Sequence, residues 1–471
     1  MEQNGISRNP LRVAVIGSGP SGFYAAEALL KQKEIPLEVD MFDRLPTPYG
    51  LVRGGVAPDH QKIKAVSAVY EKTAQLPGFR FFGNIKLGQD IQVSDLKERY
   101  HQIIYAVGAE TDRKMGIPGE DLPGSHSATA FVGWYNGHPD YRDEQFDLSC
   151  ESAAIVGVGN VAIDVARILS EDPEILAKTD IAEYALEALR KSNIKTIYLL
   201  GRRGPAQAAY SPAEIKELGS LTTADLVIRE EEARLDEVSK TDYLDPENKK
   251  NVDYVQAQVK MGEGKKPRKI RLRFCVSPVQ VEASNGRLSA LKIEKNRLVS
   301  DENGKAKAKG TGQFETLPVG LVFRSVGYRG TPIPEIPFDP KSGKIPNREG
   351  RVFSSDFKIP RLGEYVVGWA KRGPSGLIGT NRADSVATVK AALEDALAGK
   401  FGWDIGALNK SDSIEDFLRQ KRLRFVSFSD WQKLDKIEME AGKKKGKTRE
   451  KFSRVSEALS ALDLAAVDKA I

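Results

Sequence analysis

The pattern of apolar and polar positions near the N-terminus predicts a β-strand, a turn, a helix and a second strand in close succession. An apolar run at 13–16 stops at three glycines, Gly17, Gly19 and Gly22. Apolar residues at helical spacing follow, and a second apolar run occupies 37–42. Such a β–α–β unit is the building block of a parallel sheet with helices packed on its faces.

The spacing of these glycines is typical of a dinucleotide-binding turn. Gly17 permits the tight turn, Gly19 lets the backbone approach a pyrophosphate, and Gly22 lets the helix pack close to the strand. The pyrophosphate then sits at the helix N-terminus, where free N–H groups and the helix dipole favour an anion. Asp43, directly after the second strand, is placed for a ribose hydroxyl.

The same pattern begins again in the middle of the chain. A strand predicted at 153–156 leads into Gly157 and Gly159, and the third glycine position holds Ala162. That substitution is acceptable because the position needs only a small side chain. A helix predicted at 181–190 lengthens this unit, so a second dinucleotide site is expected here.

The next strand of the second unit, predicted at 194–200, ends just before Arg202 and Arg203. The first unit has Asp43 at the corresponding place. Two guanidinium groups would meet a 2′-phosphate with bidentate hydrogen bonds. The second site is therefore predicted to prefer NADP(H) over NAD(H).

Prolines and glycines at 45–60 exclude both a helix and a central strand. This stretch is not hydrophilic, which predicts a loop ordered against something large and flat. The charged region 230–269 has few apolar residues and is predicted to be a surface excursion. The other predicted elements are a helix over 61–76, strands at 79–82, 103–107, 270–274, 288–293 and 317–325, and a helix over 380–398.

A strand beginning near Glu364 runs into a glycine-rich turn that ends at Gly379, ahead of the helix at 380–398. A helix N-terminus presented in this way carries about half a positive charge, which would favour the negative charge of a reduced flavin ring. Beyond 401, four aromatic residues are expected to dock on the body of the protein, while the final forty residues are basic and expected to be partly mobile. These aromatic residues are Phe417, Phe425, Phe428 and Trp431.

Composition narrows the class of protein. Of the 471 residues, 40% are hydrophobic and 29% charged, which is ordinary for a globular protein, and no apolar run is long enough to span a membrane. The two cysteines, Cys150 and Cys275, form no C-x-x-C motif, so a dithiol centre, a cysteine-bound zinc or an iron–sulfur cluster is not expected. The short polar segment at 1–10 has no targeting signature. This favours a cytoplasmic protein, or one of the mitochondrial matrix if a presequence has been removed.

The formal net charge of +6 is spread unevenly. Basic residues cluster at 265–273, 419–424 and 443–451. Such runs are usually solvated, and the alternative is a docking surface for an acidic partner. Nucleic acid is not expected as a partner, because no basic module interleaved with aromatic residues accompanies these runs.

With these motifs in view, the sequence resembles the adrenodoxin reductase-type ferredoxin–NADP(+) reductases. The resemblance extends from Arg12 to about Gly399 and includes motifs longer than a generic dinucleotide fingerprint. Between Leu218 and Tyr254 the chain is shorter than the vertebrate pattern, which puts the partner-docking surface in doubt more than the chemistry. The matching motifs lie at 17–24, 49–60, 131–137, 157–167, 195–204 and 368–379.

The resemblance implies an α/β fold of glutathione-reductase-like flavoprotein architecture, with two Rossmann-like three-layer domains that bind FAD and NADP(H) and no metal. It divides the chain into a first segment of the FAD-binding domain at 1–110, an NADP(H)-binding domain at 111–328, a second FAD-binding segment at 329–400, and a C-terminal extension at 401–471. The residues implied to contact FAD, besides the glycines of the first turn, are Ser21, Asp43, Leu51, Leu87, Trp369, Gly376, Leu377 and Ile378. The residues implied to contact NADP(H), besides Gly157 and Gly159, are Val158, Asn160, Val161, Arg202, Arg203, Glu214 and Gly376.

His60 and Glu214 are the residues implied to handle a proton near the flavin. Histidine suits this step because its charge changes near neutral pH, and Glu214 could relay the proton or anchor the nicotinamide amide. The alternative for His60 is a role only in holding its loop. For Glu214 it is that of a glutamate favoured by a helix N-terminus.

The function implied is hydride transfer from NADPH to FAD, followed by single-electron transfer to an acidic ferredoxin-type iron–sulfur protein. We expect a monomer without stable membrane insertion. Three alternatives stay open. One is a related flavoenzyme, such as a dithiol reductase or the electron-input subunit of an amidotransferase, which the cysteine pattern disfavours. The others are an NADPH-dependent monooxygenase and a non-catalytic nucleotide-sensing protein.

Overall fold

The computed structural model describes residues 10–404 and 413–467, the last three of these for their backbone only. The predictions made for 1–9 and for the end of the basic tail at 468–471 lie outside the described residues. No described helix is both long enough and apolar enough to cross a membrane. The helices, numbered in chain order, are α1 (Pro20–Lys31), α2 (Leu51–Gly54), α3 (Gln61–Lys64), α4 (Ser67–Ala74), α5 (Val93–Lys97), α6 (Ala128–Tyr135), α7 (Asn160–Ser170), α8 (Pro173–Leu176), α9 (Glu183–Arg190), α10 (Pro212–Ser220), α11 (Lys240–Tyr243), α12 (Pro246–Met261), α13 (Trp369–Arg372), α14 (Thr380–Leu397), α15 (Ile414–Gln420), α16 (Phe428–Lys444) and α17 (Val455–Val467).

The first nucleotide-type unit belongs to a seven-stranded sheet. Its strands are β1 (Leu11–Ile16), β2 (Leu37–Phe42), β3 (Phe79–Phe82), β4 (Gln102–Tyr105), β16 (Asn347–Arg348), β17 (Arg351–Phe353) and β18 (Pro360–Val366). Strands β3, β2, β1, β4 and β18 lie side by side in that order and are parallel to one another. Beyond β18 the sheet is extended by β17 and then β16, each antiparallel to its neighbour. The central strands β1 and β4 are apolar over 13–16 and 103–105, as expected where helices and loops cover both faces of the sheet.

The second unit belongs to a separate, fully parallel sheet. Its strands are β6 (Ser125–Ser127), β7 (Ser152–Val156), β8 (Thr196–Leu200), β9 (Ala224–Ile228), β10 (Arg268–Arg273) and β14 (Leu321–Arg324). They lie in the order β6–β14–β7–β8–β10–β9. The chain enters and leaves this part of the molecule through a two-stranded antiparallel ribbon formed by β5 (Thr111–Asp112) and β15 (Tyr328–Arg329).

Between β10 and β14 the chain forms a long antiparallel meander, β11 (Val276–Ser284), β12 (Arg287–Ser300) and β13 (Ala306–Pro318). The predicted strand at 288–293 is thus less than half of β12. The predicted strand at 317–325 is wrong as one element. Leu317 pairs with Leu291 in the meander, whereas Leu321 pairs with Ala153 in the parallel sheet. The chain changes sheets between them, at Gly320, whose N–H donates to Ser152 O at 3.0 Å.

The single helix predicted at 61–76 is also wrong, because α3 and α4 are separated at 65–66. The N–H groups of Val66 and Val69 donate to the carbonyls of Ile63 and Val66, three residues earlier in each case. These shorter-range bonds tighten the chain to a 3₁₀-type turn.

The region 230–269, predicted to be a surface excursion, contains the sixteen-residue helix α12, which the sequence analysis did not predict. Asp245 caps this helix by accepting hydrogen bonds from Glu247 N and Asn248 N. Val252 and Val255 are fully buried and form a narrow apolar stripe. A stripe this narrow gives little periodic signal in a sequence that is otherwise charged.

The C-terminal extension packs on the first domain through Trp431 and Leu434, which are buried in the core beside the first sheet. The basic tail, expected to be partly mobile, contains two lysines that are buried in the structure. Lys447 and Lys451 are 6% and 9% exposed and are hydrogen-bonded to the body of the protein. Their partners are distant in sequence, so the run of lysines alone could not indicate burial.

Candidate functional site

The first glycine turn is closed by direct backbone packing. A Cβ on Gly17 would lie 2.4 Å from Ala106 O, and one on Gly22 would lie 2.0 Å from Gly17 O. A Cβ on Gly19 would meet no atom within 4 Å. Gly19 caps α1 without a side-chain hydrogen bond to the helix. The turn therefore presents open space and uncapped N–H groups on the side where an anion would bind.

Asp43 lies at the carboxyl end of β2, directly beside this turn. Its Oδ2 accepts from Ser18 N at 2.9 Å and from Ser18 Oγ at 2.5 Å, and its Oδ1 accepts from Leu45 N at 2.9 Å. The half-buried carboxylate thus fixes the glycine turn and the start of the following loop. The same loop contacts the turn again where Tyr49 N donates to Ser18 O at 3.0 Å, just before Leu51.

Ser21 joins the first turn to the second segment of the same domain. Its Oγ donates to Asn381 Oδ1 at 3.0 Å, and its carbonyl accepts from Ser385 Oγ at 2.9 Å. Both partners lie on α14. The one proton of the Ser21 hydroxyl is therefore used within the protein, whereas its backbone N–H, in the first turn of α1, has no acceptor within the helix.

Several groups beside the glycine-rich turn fit a large, flat cofactor with polar edges. Trp369 Nε1 and the Nε and Nη1 atoms of Arg372 are buried without a hydrogen-bond partner in the part of the chain that the structure describes. Leu51 and Leu377 are 40% and 64% exposed despite being apolar. A nucleotide cofactor would satisfy unpaired buried donors and cover exposed apolar side chains of these kinds.

The other residues predicted to contact FAD are less direct candidates. Leu87 is 7% exposed and packs in a core cluster with Ile91. Ile378 is half-buried and packs against the core of the first sheet. Gly376 is exposed in the turn. Burial of the Leu87 and Ile378 side chains therefore leaves little of either for contact with a cofactor.

The second glycine turn repeats the construction of the first. A Cβ on Gly157 would lie 2.2 Å from Ser325 O, whereas one on Gly159 would have as its nearest neighbour Ala209 Cβ at 3.9 Å. Ala162 is fully buried, as its small side chain allows. Gly159 caps α7 without a side-chain hydrogen bond. The next residue, Asn160, instead accepts from Ser211 N at 2.8 Å through its Oδ1.

Arg202 and Arg203 follow β8, at the edge where α7 begins. Their carbonyls accept from Asn296 Nδ2 at 3.0 Å and from Cys275 N at 3.1 Å, which anchors the backbone. Neither guanidinium forms an ion pair with any carboxylate of residues 10–404 or 413–467. Partial burial and the neighbouring Arg202 lower the pKa of Arg203. Two adjacent, unneutralised guanidinium groups suit a phosphate.

His60 and Glu214 come together at the junction between the two sheets. His60 lies on the loop after α2, in the first domain, and Glu214 lies in the first turn of α10, in the second. His60 Nε2 is 3.0 Å from Glu217 Oε2 and 4.0 Å from Glu214 Oε2, and His60 Nδ1 is 3.7 Å from Asp164 Oδ1. The predicted pair is therefore part of a larger cluster.

The cluster is rich in carboxylates. Arg167, 1% exposed, pairs with Asp164 at 2.5 Å and also with Asp59. Burial raises the pKa of Glu214, with a further contribution from Glu217, against the opposing effect of His60 and Arg167. A carboxyl group with a raised pKa can hold and release a proton nearer neutral pH.

Sequence reasoning missed Glu217, Asp164 and Arg167. The signal was helical spacing, because Glu214 and Glu217 are three residues apart on α10, as are Asp164 and Arg167 on α7. Residues at this spacing share one helix face. The spacing could not indicate that these faces of α7 and α10 both lie against His60, which comes from another part of the chain.

The basic runs are mostly neutralised within the protein. Arg273 pairs with Glu232 and Glu315, Lys421 pairs with Asp95, and Lys447 pairs with Glu450. Exposed cations that make no ion pair with a described carboxylate are found at many places on the surface, including one group on the β12–β13 hairpin. They include Lys295, Arg297, Lys305, Lys307 and Lys309. Arg297 stands directly opposite Lys309.

Comparison with known proteins places the chain in a family. Residues 11–198 match the model of the pyridine nucleotide-disulphide oxidoreductases. The chain is 44% identical to NADPH-ferredoxin reductase FprA of Mycobacterium tuberculosis, covering 96% of this chain and 98% of that protein. It is 41% identical to the mitochondrial NADPH:adrenodoxin oxidoreductase of Homo sapiens, covering 96% of this chain and 92% of that protein. The structure of M. tuberculosis FprA in complex with NADPH superimposes with a TM-score of 0.89 at 42% identity, covering 96% of this chain and all of that one.

These relatives define a class of two-domain flavoprotein reductases. The chain belongs to the adrenodoxin reductase-type ferredoxin–NADP(+) reductases. The resemblance noted from the sequence and the predicted α/β fold are thereby confirmed.

Proposed function

We propose that this protein takes electrons from NADPH, through bound FAD, and delivers them one at a time to a ferredoxin-type iron–sulfur protein. The observation that carries the proposal is that two nucleotide-type turns stand on separate sheets, and that His60, from the first domain, lies 4.0 Å from Glu214, from the second. The names of the relatives, an NADPH-ferredoxin reductase and an NADPH:adrenodoxin oxidoreductase, support the same activity.

FAD would supply the redox chemistry, since a flavin exchanges two electrons as a hydride and also single electrons. The uncapped N-terminus of α1 would bind its pyrophosphate over Gly19, with Asp43 beside the ribose. Trp369 and the glycine-rich turn at 376–378 would line the ring, and α14 would present its N-terminus to that edge. The orphaned donor of Trp369 supports this assignment.

NADPH is the second ligand. The N-terminus of α7 would bind its pyrophosphate over Gly159, flanked by Val158, Asn160 and Val161. Arg202 and Arg203 would bind the 2′-phosphate that distinguishes NADPH from NADH.

His60 and Glu214 would manage the proton that accompanies hydride transfer. Glu214 is 9% exposed, and its buried Oε2 has no hydrogen-bond partner among the described residues. A carboxyl group held in this way can donate a proton at the junction. His60 Nε2 lies 4.0 Å from Glu214 Oε2, so the imidazole is placed to pass the proton on.

The electron acceptor is proposed to be an acidic protein. The chain carries a net charge of +6, and most of its carboxylates near the basic runs are already used in internal pairs. The remaining exposed cations favour an anionic surface and would steer it during encounter.

The test is anaerobic stopped-flow with the FAD-loaded protein. NADPH should bleach the flavin absorbance, and an acidic ferredoxin should then restore it at a rate that falls as salt is raised. Failure to reduce any ferredoxin at low salt would contradict the proposal. Oxygen uptake coupled to oxidation of an organic substrate would instead indicate a monooxygenase, and bound flavin that NADPH cannot reduce would indicate a non-catalytic role.

A further inference from the structure

The cluster at the domain junction contains more ligand atoms than the proton transfer needs. We propose that His60, Glu214 and Glu217 form a binding site for a divalent transition-metal ion of the Zn²⁺ class, and that its occupation reversibly blocks the reductase. Neither the sequence motifs nor the proposed electron transfer calls for such a site. It therefore goes beyond the proposed function.

The three ligand atoms already converge. His60 Nε2 lies 3.0 Å from Glu217 Oε2 and 4.0 Å from Glu214 Oε2, and all three atoms lie within 4.8 Å of one another. Bonds of ~2.1 Å place the ligands of a tetrahedral Zn²⁺ site ~3.4 Å apart. Side-chain movements on the order of 1 Å would therefore complete the site, with water as the fourth ligand.

Glu214 supplies independent evidence for a missing ligand. It is 9% exposed, and its Oε2, the atom nearest to His60, is buried without a hydrogen-bond partner in the described chain. A buried, unpaired carboxylate oxygen is costly unless a proton or a cation satisfies it. Glu217, with a side chain 45% exposed, leaves a path from solvent for the ion.

The surroundings of the cluster favour a cation as well. Among the described residues, Asp59, Asp164, Glu214 and Glu217 face Arg167 and the more distant charge of Lys64, so the charge of the fully ionised cluster is negative. His60 turns its other nitrogen, Nδ1, toward Asp164 Oδ1 at 3.7 Å. A carboxylate behind the second imidazole nitrogen is the usual support of a metal-binding histidine.

The ligand set selects the ion. Imidazole nitrogen favours Zn²⁺, Co²⁺, Ni²⁺ and Cu²⁺, whereas Mg²⁺ and Ca²⁺ prefer oxygen ligands and higher coordination numbers. With three protein ligands the site resembles those that hold zinc with one open position. We therefore expect Zn²⁺ and Co²⁺ to bind in the presence of Mg²⁺.

Occupation of the site would have two physical effects. The ion would join His60 of the first domain to α10 of the second, fixing their separation. It would also take the lone pair of His60 and the free oxygen of Glu214, leaving neither group able to move a proton.

Binding is measured directly on tag-free, FAD-loaded protein. Zn²⁺ is followed by isothermal titration, and Co²⁺ by its visible absorption bands. One ion should bind per chain at the cluster, with weaker binding at acidic pH. Glu217→Gln should weaken binding by at least about tenfold, and His60→Ala should abolish it. Glu231→Gln, which removes an exposed carboxylate elsewhere, is the matched control and should bind normally. Retained flavin absorbance and far-UV circular dichroism identify variants that have folded.

The proposed site would be refuted if the unaltered protein showed no saturable binding of Zn²⁺ or Co²⁺. It would also be refuted if folded Glu217→Gln and His60→Ala bound the ion as tightly as the unaltered protein. The inhibitory role is tested separately, by reduction of ferricyanide with NADPH, each variant being normalised to its own metal-free rate. Zn²⁺ should slow this reaction, EDTA should restore it, and Glu217→Gln should need at least about tenfold more Zn²⁺. Binding without inhibition would overturn that second part. Neither measurement uses a ferredoxin, so each stands even if the proposed acceptor is wrong.

Discussion

Lys451 Nζ lies 2.9 Å from Asp180 Oδ2, and the two side chains are only 3% and 4% exposed. Lys64 Nζ approaches the same carboxylate at 2.8 Å. Lys451 also donates to the carbonyls of Arg53 and Asn136, at 3.1 and 3.0 Å. One lysine of the C-terminal extension thus ties together the loop of the first domain and the second domain, close to the junction that His60 occupies.

Lys451→Met should destabilise the protein by about 2–4 kcal/mol. Removing one partner of a buried ion pair leaves the other charge poorly compensated, although Lys64 would still neutralise part of Asp180. The free energy of unfolding in urea checks this. Lys443→Met, in an exposed part of the same run, is the control and should change stability by less than about 0.5 kcal/mol. Equal effects of the two substitutions would contradict the assigned role of Lys451.

This lysine also shows where sequence reasoning stops. The run at 443–451 is uniformly basic, and charge alone predicts solvation for every member. Lys451 is buried because Asp180 and the carbonyls of Arg53 and Asn136, all far away along the chain, accept its hydrogen bonds. The glycine turns could be predicted because the strand, the glycines and the helix of each turn are adjacent in the sequence. The carboxylates around His60 could not be assembled, because they come from three separate segments.

Gly19→Ala and Gly22→Ala should separate cofactor binding from folding. Gly19 has a backbone conformation open to alanine, with φ −75° and ψ −176°, and its Cβ would enter free space. The apoprotein should therefore keep its stability to within about 0.5 kcal/mol while FAD content falls. A Cβ on Gly22 would overlap Gly17 O, so this variant should lose about 2 kcal/mol or more, or fail to fold.

FAD content per chain and the melting curve of the apoprotein distinguish the two variants. Full FAD content in Gly19→Ala would remove that side of the turn from the proposed cofactor site. Normal stability in Gly22→Ala would mean that the strand and helix can separate without cost, contrary to their contact in the structure.

Replacing Arg202 and Arg203 together by alanine should narrow the preference for NADPH over NADH. Each guanidinium is free of carboxylate partners among the described residues, so both are available to the 2′-phosphate. Loss of these charged hydrogen bonds should reduce the ratio of kcat/KM values by about 2–3 kcal/mol, a factor of ~30 to ~150. Arg287→Ala, which alters an arginine 61% exposed, should leave the ratio unchanged. An unchanged ratio in the double variant would exclude the pair from the coenzyme site.

The pH dependence of flavin reduction should report on Glu214. Burial and the charge of Glu217 raise the pKa of Glu214, so it stays protonated to a higher pH than an exposed glutamate. If protonated Glu214 serves the reaction, the rate of NADPH-driven flavin reduction should fall as the pH rises through this raised pKa. Glu214→Gln should slow the reaction and remove that limb of the profile.

Glu217→Gln provides the sharper comparison, because it removes the negative charge that helps to raise the pKa of Glu214 while leaving the carboxyl group in place. The fall in the rate of flavin reduction should therefore occur at a lower pH than in the unaltered protein. The constant rate observed at still lower pH should change little. His60 and Arg167 lower the pKa of Glu214, and in the unaltered protein the charge of Glu217 opposes them. Without that charge, their effect also moves the fall in rate to lower pH. A limb that stays in place in Glu217→Gln, or that persists in Glu214→Gln, would assign the titration to another group and leave Glu214 a positioning role at the helix N-terminus.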